Sequence, residues 1–534
     1  MPWLLHDLLL HPAHQHMGNI GLRQAGGNGA AFRYAELAEE VARTATALRE
    51  WGLEDDDRVA VYLEKRPEAI IALFGISAAG GIAVPVNPVL KPPQVTHILQ
   101  DAGASALITS PLRLHALASH LTRCPALHTA VRVAEPAAPD ITLTGDLAIR
   151  DWAYRAHCLA APLPRRVESD LALLLYTSGS TGMPKGVSLS HRNLVAGASS
   201  VVAYLENTEE DRILAALPLS FDYGFSQLTT AFLVGAEAVL TDYLLPRELP
   251  QRVAAHGITG LAAVPPMWID LAEQPWPEGA RRSLRYLTNS GGVLPQATQT
   301  ALRAQLPDAQ LFLMYGLTEA FRSTYLAPED LDQRPGSIGR AIPNAEVQVV
   351  RPDGTPCDPY EHGELVHRGP QVALGYWGAP EATAGRFRPA PNRPAGVPTD
   401  ERAVWSGDTV YSDEEGYLYF VGRQDELIKT SGYRVSPQEI EAALMAIEGV
   451  RECVAAGIPD PRLGEAIGVA LAVDPEAGLD ASTLERTCRQ HLPTFMTPAT
   501  FWIQDGPLPR NAHGKIDRAK LRAALLEHAG EGTP

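Results

Sequence analysis

Cysteine is scarce in this chain. Five residues, Cys124, Cys158, Cys357, Cys453 and Cys488, are scattered over 534 positions with no C-x-x-C pair. That pattern excludes a disulfide frame or a zinc ribbon and predicts reduced thiols in a cytoplasmic setting. Histidines number 16, yet none stands in H-E-x-x-H, so a zincin-type metal site is not expected. No apolar run approaches the roughly 18 residues that a membrane-spanning helix needs. The first residues, MPWLLHDLLLHPAHQ, lack a basic segment and have an interrupted apolar stretch, which reads as a helix and not as a secretion signal. Positive charge is also short: 45 Lys and Arg face 62 Asp and Glu, for a net charge of −17. Such a surface argues against nucleic-acid or anionic-membrane partners, so a polyanionic ligand would have to be met by a local site.

What is present is apolar residues at 45% and charged residues at 20%, the composition of a large globular protein. The length suggests roughly three to four units of ~150 residues. Leu37, Val41, Ala45 and Leu48 recur at helical spacing, and Gly52 closes that helix. Short apolar strands at Val59–Leu63, Ile82–Val86 and Ala106–Thr109 alternate with helices at Pro67–Ala79 and Gln94–Ala102. This alternation predicts a doubly wound parallel sheet. Residues 111–168 read as peripheral strands and a linker. From about 337 the texture becomes short strands and turns, a β-rich subdomain extending to 421. A small α+β unit follows over 426–534, joined through 422–425. The expected fold class is therefore α/β: a large N-terminal domain (1–421) of doubly wound sheets plus the β-rich subdomain, with a small mobile α+β C-terminal domain.

The most informative stretch is LLLYTSGSTGMPKG, Leu173–Gly186. An apolar strand empties into Thr177, Ser178, Gly179, Ser180, Thr181 and Gly182, with Lys185 just beyond. Hydroxyls, closely approaching backbone amides and a mobile cation suit the phosphates of a nucleotide. The spacing is not that of a Walker A loop. Two further turns, Ser290-Gly291-Gly292 and Tyr315-Gly316-Leu317-Thr318-Glu319, end predicted strands, where ligands of open α/β sheets bind. Phe221–Ser226, after the strand Asp211–Leu217, is a candidate pocket wall for the same reason.

Taken in order, these motifs resemble the adenylate-forming superfamily, which includes acyl-CoA synthetases, peptide-synthetase adenylation domains and luciferases. The resemblance runs through YTSGSTGMPKG (Tyr176–Gly186), YGLTE (Tyr315–Glu319), GELVHRGPQVALGYW (Gly363–Trp377), WSGDTVYSDEEGYLYFVGR (Trp405–Arg423), GRQDELIKTSGYRVSPQEIE (Gly422–Glu441) and PRNAHGKIDR (Pro509–Arg518). LSFDYGFSQL, RYLTNSGG, MYGLTEAFRSTYL and IKTSGYRVSP look closest to the AMP-forming acyl-CoA ligases associated with exosortase systems. The resemblance implies that a carboxylic acid is joined to AMP with release of pyrophosphate, then passed to CoA as a thioester. The alternative is transfer to a carrier-protein phosphopantetheine thiol or an amine. ATP, Mg²⁺ and CoA (or the phosphopantetheine arm) are the implied cofactors.

Residue by residue, the resemblance assigns Thr177, Ser178, Gly179, Ser180, Thr181, Gly182 and Lys185 to the triphosphate, Thr318 to the α-phosphate and Glu319 to Mg²⁺. Tyr315 would stack on the adenine, Gly291, Gly292 and Gly316 would belong to the ATP/AMP site, Asp408 would accept the ribose hydroxyls, and Arg423 would support the ribose or a phosphate. Lys515 would be the adenylation catalyst, stabilising charge where it grows, on a loop fixed by Asn511 and Gly514. Asp425 matches the hinge of the small domain. Gly432 lies where relatives admit the pantetheine arm, with a simple turn as the other reading. The acid pocket would be lined by Phe221, Asp222, Tyr223, Ser226, Met314, Arg322 and Ser323. Phe221-Asp222 resembles the Phe-Asp motif of amino-acid-activating relatives. Asp222 and Arg322 either recognise an amino or second carboxyl group on the acid or form a buried structural pair. The expected substrate is a small polar or amino-bearing acid ahead of a plain fatty acid.

Overall fold

The structure is a computed structural model. It describes the whole chain except residues 1, 27–28, 134–146, 178–183, 243–244, 392, 394–395, 397–399, 424–427, 431–432, 461–462, 493–495, 505, 512–513 and 532–534. The chain forms two compact units, one of residues 1–347 with 367–404, the other of residues 348–366 with 405–534. Among the described residues no helix is long and apolar enough to cross a membrane.

The first unit holds two large sheets. In one, the order is Gly375–Tyr376, Lys185–Ser190, Leu171–Thr177, Ile82–Pro85, Arg58–Tyr62, Ala106–Thr109, Thr129–Arg132, Ala148–Asp151. All neighbours from Leu171–Thr177 onward are parallel. The strands are buried on both faces, which explains their unbroken apolar character. In the other, a parallel core runs Gln310–Tyr315, Tyr286–Asn289, Gly260–Ala263, Arg212–Ala215, Glu237–Leu240, Ile20–Gln24, with antiparallel strands at both sides. One core cluster joins residues of both sheets to the helices Pro67–Ala78 and Asp222–Val234. In it the ring of Phe74 meets Phe232 edge-on at 5.3 Å and stacks on Phe225 at 6.4 Å.

In the second unit, the strands Tyr433–Val435, Ile428–Thr430, Gly464–Val473 and Val450–Asp460 make a sheet, and Thr500–Gln504 joins Gly464–Val473 in parallel. Period-two alternation splits its two faces. Cys453 and Ala455 pack with Ile440, Leu444 and Leu484 of the helices Pro437–Met445 and Ala481–His491, whereas Val454 packs with Leu521 and Leu525 of the helix Arg518–Glu531.

Several elements differ from the sequence reading. Residues 111–168, read as strands and linker, contain the helix Pro111–Leu121, with Ser110 as its N-cap and Pro111 at the first position. Ser-Pro before Leu114, Leu117 and Leu121 was a start signal that the Ala- and Arg-rich context obscured. Lys185–Ser190 is a strand antiparallel to Leu171–Thr177, so the glycine-rich stretch links two paired strands. The Phe221–Ser226 segment is the start of a helix. The helix starts at Asp222, its first turn closed by Phe225 N–H on the Phe221 carbonyl at 2.9 Å. The last helix, Arg518–Glu531, went unread because its alanine and charged residues give almost no apolar periodicity.

Candidate functional site

The carboxyl ends of parallel strands gather most of the first unit's candidate residues. Leu171–Thr177 delivers Thr177, which stands opposite Lys185 in the antiparallel register. Ser178, Gly179, Ser180, Thr181 and Gly182 lie outside the described residues. On the far side of Lys185–Ser190, the short strand Gly375–Tyr376 pairs Tyr376 with Val187. The Tyr376 phenol donates to Glu319 Oε1 at 2.5 Å, and the Lys185 ammonium lies 5.7 Å from the centre of the Tyr376 ring. Ala373 N–H holds the Glu319 carbonyl at 2.8 Å. Segment 373–376 therefore fastens Glu319, which follows one sheet, to the base of the glycine-rich stretch in the other. The sequence gives Tyr376, second to last in the middle motif, no site role. Only tertiary contact shows that its hydroxyl meets the Glu319 carboxylate.

Gln310–Tyr315 delivers Tyr315, and Gly316 follows. A Cβ on Gly316 would lie 3.2 Å from the Arg322 Cα, so glycine lets the returning chain pass this close. Thr318–Ala320 make one tight helical turn. Phe321 then adopts φ 56° and ψ −42°, and Arg322 N–H bonds the Ala320 carbonyl at 2.6 Å. This is a γ-turn of the rarer, strained sign, on a bulky residue. Strain of this kind persists only where surroundings enforce it, and it clusters at functional sites. Here the Phe321 ring is fully buried against Gly197, where no side chain would fit.

The γ-turn carries Arg322 to the start of the helix Asp222–Val234. Arg322 Nη1 lies 3.3 Å from Asp222 Oδ2, with the two side chains 2% and 5% exposed. Thr318 Oγ1 donates to Asp222 Oδ1 at 3.4 Å, so its hydroxyl has a protein partner besides its expected phosphate role. The guanidinium carbon stands 4.5 Å from the centre of the Tyr223 ring, whose hydroxyl bonds Thr288 Oγ1 at 2.6 Å. Burial pushes the Tyr223 phenol well above its usual range. Phe221 meets Tyr223 edge-on at 6.2 Å. Ser226 is buried one turn further along the same helix.

The remaining pocket candidates have other neighbours. Ser323 Oγ bonds His367 Nδ1 at 3.0 Å, and desolvation lowers that fully buried imidazole to about 4. Met314 Sδ accepts from the Tyr204 hydroxyl at 2.9 Å. Gly291 and Gly292 follow Tyr286–Asn289, and Asn289 Nδ2 donates to the Gly292 carbonyl at 3.1 Å.

In the second unit, Asp408 and Arg423 face each other across the antiparallel strands Arg402–Ser412 and Leu418–Arg423, Oδ1 to Nε at 3.3 Å. Lys515 sits on a closed loop: its N–H reaches Asn511 Oδ1 at 3.1 Å, its carbonyl accepts from Asn511 N–H at 2.7 Å, and Gly514 takes φ +78°. Asp425 and Gly432 lie outside the described residues. Among the described residues no group of three or more His, Cys, Asp or Glu could hold a metal unaided. One hard carboxylate, Glu319, fits Mg²⁺ all the same, because that ion takes one or two carboxylates plus phosphate oxygens.

Comparison with known proteins identifies the family. The family model of AMP-binding enzymes matches residues 11–377, and that of the AMP-binding enzyme C-terminal domain matches 439–515. A long-chain-fatty-acid–CoA ligase of Escherichia coli O157:H7 is 30% identical, over 92% of this chain and 90% of its own. A feruloyl-CoA synthase of an Amycolatopsis species is 32% identical, over 92% and 94%. The crystal structure of ATP-bound MatB from Rhodopseudomonas palustris superposes with a TM-score of 0.87 at 27% identity, covering 99% of this chain and 100% of that one. The chain belongs to the family of AMP-binding enzymes.

Proposed function

We propose that this protein is an AMP-forming acid–CoA ligase. In the first half-reaction an acid carboxylate oxygen bonds to the α-phosphorus of ATP as the bond to pyrophosphate breaks. In the second, the CoA thiol loses its proton, sulfur bonds to the acyl carbon and AMP leaves with the electron pair. The single observation that carries this reading is the Glu319–Tyr376–Lys185 arrangement at the mouth of the glycine-rich stretch. It sets a hard carboxylate and a cation beside a stretch suited to phosphates.

Glu319 would hold Mg²⁺, which neutralises phosphate charge as pyrophosphate departs. Tyr376 fixes the rotamer of that carboxylate. Thr177 and Lys185, with Ser178 to Gly182, would grip the leaving diphosphate, and Thr318 the α-phosphate. Tyr315, Gly316, Gly291 and Gly292 would enclose the adenine, and Asp408 with Arg423 the ribose. Lys515 would stabilise the negative charge developing between carboxylate and phosphate. Asp425 would be the hinge and Gly432 the passage for pantetheine. The acid is polar, met by the pocket residues around Asp222 and Arg322.

The test is a panel of carboxylates scored by pyrophosphate release, with and without CoA, with products weighed by mass spectrometry. Acid-dependent pyrophosphate and a CoA thioester are expected. Acyl-AMP that accumulates with CoA present would redirect the second step to a carrier-protein thiol or an amine. Lys515→Ala should nearly abolish acyl-AMP formation yet spare thioester formation from supplied acyl-AMP. Equal damage to both halves would sink the assignment.

A further inference from the structure

The Arg322 guanidinium is 2% exposed, yet among the described residues its Nε and Nη2 have no hydrogen-bond partner. Buried donors of a charged group are seldom left so, because each loses its hydration without return. These two nitrogens are not a random pair. They share one edge of the guanidinium and present two parallel N–H vectors, the geometry that a planar pair of oxygens accepts bidentately. Asp222 does not use that edge. It touches Nη1, which also donates to the Phe321 carbonyl at 3.1 Å. At 3.3 Å the Asp222 contact is longer than a well-formed charge-assisted bond, so the cation is incompletely compensated.

A second observation points the same way. Tyr223, Gln227 and Thr230 recur at one-turn spacing on the helix Asp222–Val234, on the face opposite the Phe225 and Phe232 that enter the core. The Gln227 amide is buried with neither Oε1 nor Nε2 partnered, and Thr230 Oγ1 is likewise buried and without a partner. A face built for an alkyl chain would carry aliphatic residues here. This one offers polar atoms that only a polar occupant could satisfy.

Deepening the reading of this chain as an acid-activating ligase, on which it rests, we propose that the acid carries a second oxyanion, a distal carboxylate or sulfonate, seated on the Nε–Nη2 edge of Arg322. The Phe-Asp motif by itself suggested an ammonium on Asp222. The structure opposes that: Asp222 Oδ1 already accepts from Thr318 and Oδ2 from Arg322, whereas the unfilled positions at this pair are the donors of Arg322. The acid's other carboxylate is the one that reacts with ATP, so the distal group is bound without being consumed.

The test uses the full chain with ATP and Mg²⁺, measuring pyrophosphate release for straight-chain and benzoic series in three matched forms: plain acid, diacid and amino acid. At the best-fitting length the diacid should exceed the plain acid by about a hundredfold or more in kcat/KM, because a site built around hydrogen bonds rejects an analogue lacking them. Arg322→Lys keeps the charge but loses the planar fork, and should lower the diacid rate by about tenfold or more. The ratio of diacid to plain-acid kcat/KM should fall with it, which a general loss of activity would not produce. An AMP-induced thermal shift equal to that of the unsubstituted protein checks that the variant is folded. If it does not fold, the substrate series on the unsubstituted chain decides alone. Plain or amino acids matching the diacids, or an equal loss on all acids in Arg322→Lys, would overturn the inference while leaving the ligase reading intact. Absence of pyrophosphate with every acid would overturn both.

Discussion

Two Asp–Arg pairs, each closing at 3.3 Å, meet opposite fates in this molecule. Asp222 and Arg322 lie 100 positions apart and both side chains are at most 5% exposed. Asp408 and Arg423 are register partners in one antiparallel pair, and the arginine is 41% exposed. Distance and chemistry are the same, and solvent makes the difference. Solvent reaches the Arg423 side chain while Asp408 is only 11% exposed, so the second pair is screened from one side. The first pair has given up its water, so each partner depends on the other and on whatever fills the remaining donor positions.

Breaking the interior pair should have the largest effect. Arg322→Met leaves Asp222 buried and uncompensated and should cost about 3–5 kcal/mol in urea unfolding, whereas adding Asp222→Asn should recover part of the loss. A loss under about 1 kcal/mol would put the interior pair in the same class as the exposed one. Acid probes the same contrast between interior and surface. His191 accepts the Leu5 N–H on Nδ1 at 3.0 Å, and burial pulls its imidazole from 6.5 to about 3. His367 is pulled from 6.5 to about 4 by the same cause. The folded chain binds fewer protons than the unfolded one between those values. Stability should therefore fall as pH drops below about 6.5, by up to ~1.4 kcal/mol per pH unit for each histidine. His191→Gln should flatten that slope, and an unchanged slope would remove His191 from the account.

The γ-turn offers a finer cut. Gly197→Ala presses on the fully buried Phe321 ring and should cost about 1–3 kcal/mol through overpacking. It should also lower adenylation more than stability, since it displaces the turn that aims Arg322. Equal melting temperatures for Gly197→Ala and the unsubstituted chain would show that the turn yields easily. Arg423→Met should have the smallest effect on folding, under about 1 kcal/mol, with the change appearing in nucleotide affinity by titration calorimetry. A stability loss as large as that of Arg322→Met would erase the contrast.

Asp408 and Arg423 were both named from the sequence because they belong to one motif, and one turn of antiparallel chain joins their strands. Glu319 was named for a similar reason, since Tyr-Gly-x-Thr precedes it directly. The Tyr376 phenol on Glu319 was not, because 57 positions separate them and neither local pattern names the other. Asp222 and Arg322 were singled out, but the sequence could not choose between a structural pair and a recognition pair. That choice depends on which guanidinium edge is occupied, and only the folded backbone sets it.

The amino acid order alone determined the alternation of strands and helices, the placement of glycines and hydroxyls after apolar strands, and so the affinity for a nucleotide. These depend on local backbone preferences and on period-two or 3.6-residue burial, which neighbours in the chain carry. Tertiary structure alone decided which strand became an antiparallel partner and which phenol grips the acid at 319. It also decided which nitrogens of Arg322 find no partner among the described residues. Such contacts form between segments distant in the chain, and only packing brings them within bonding range.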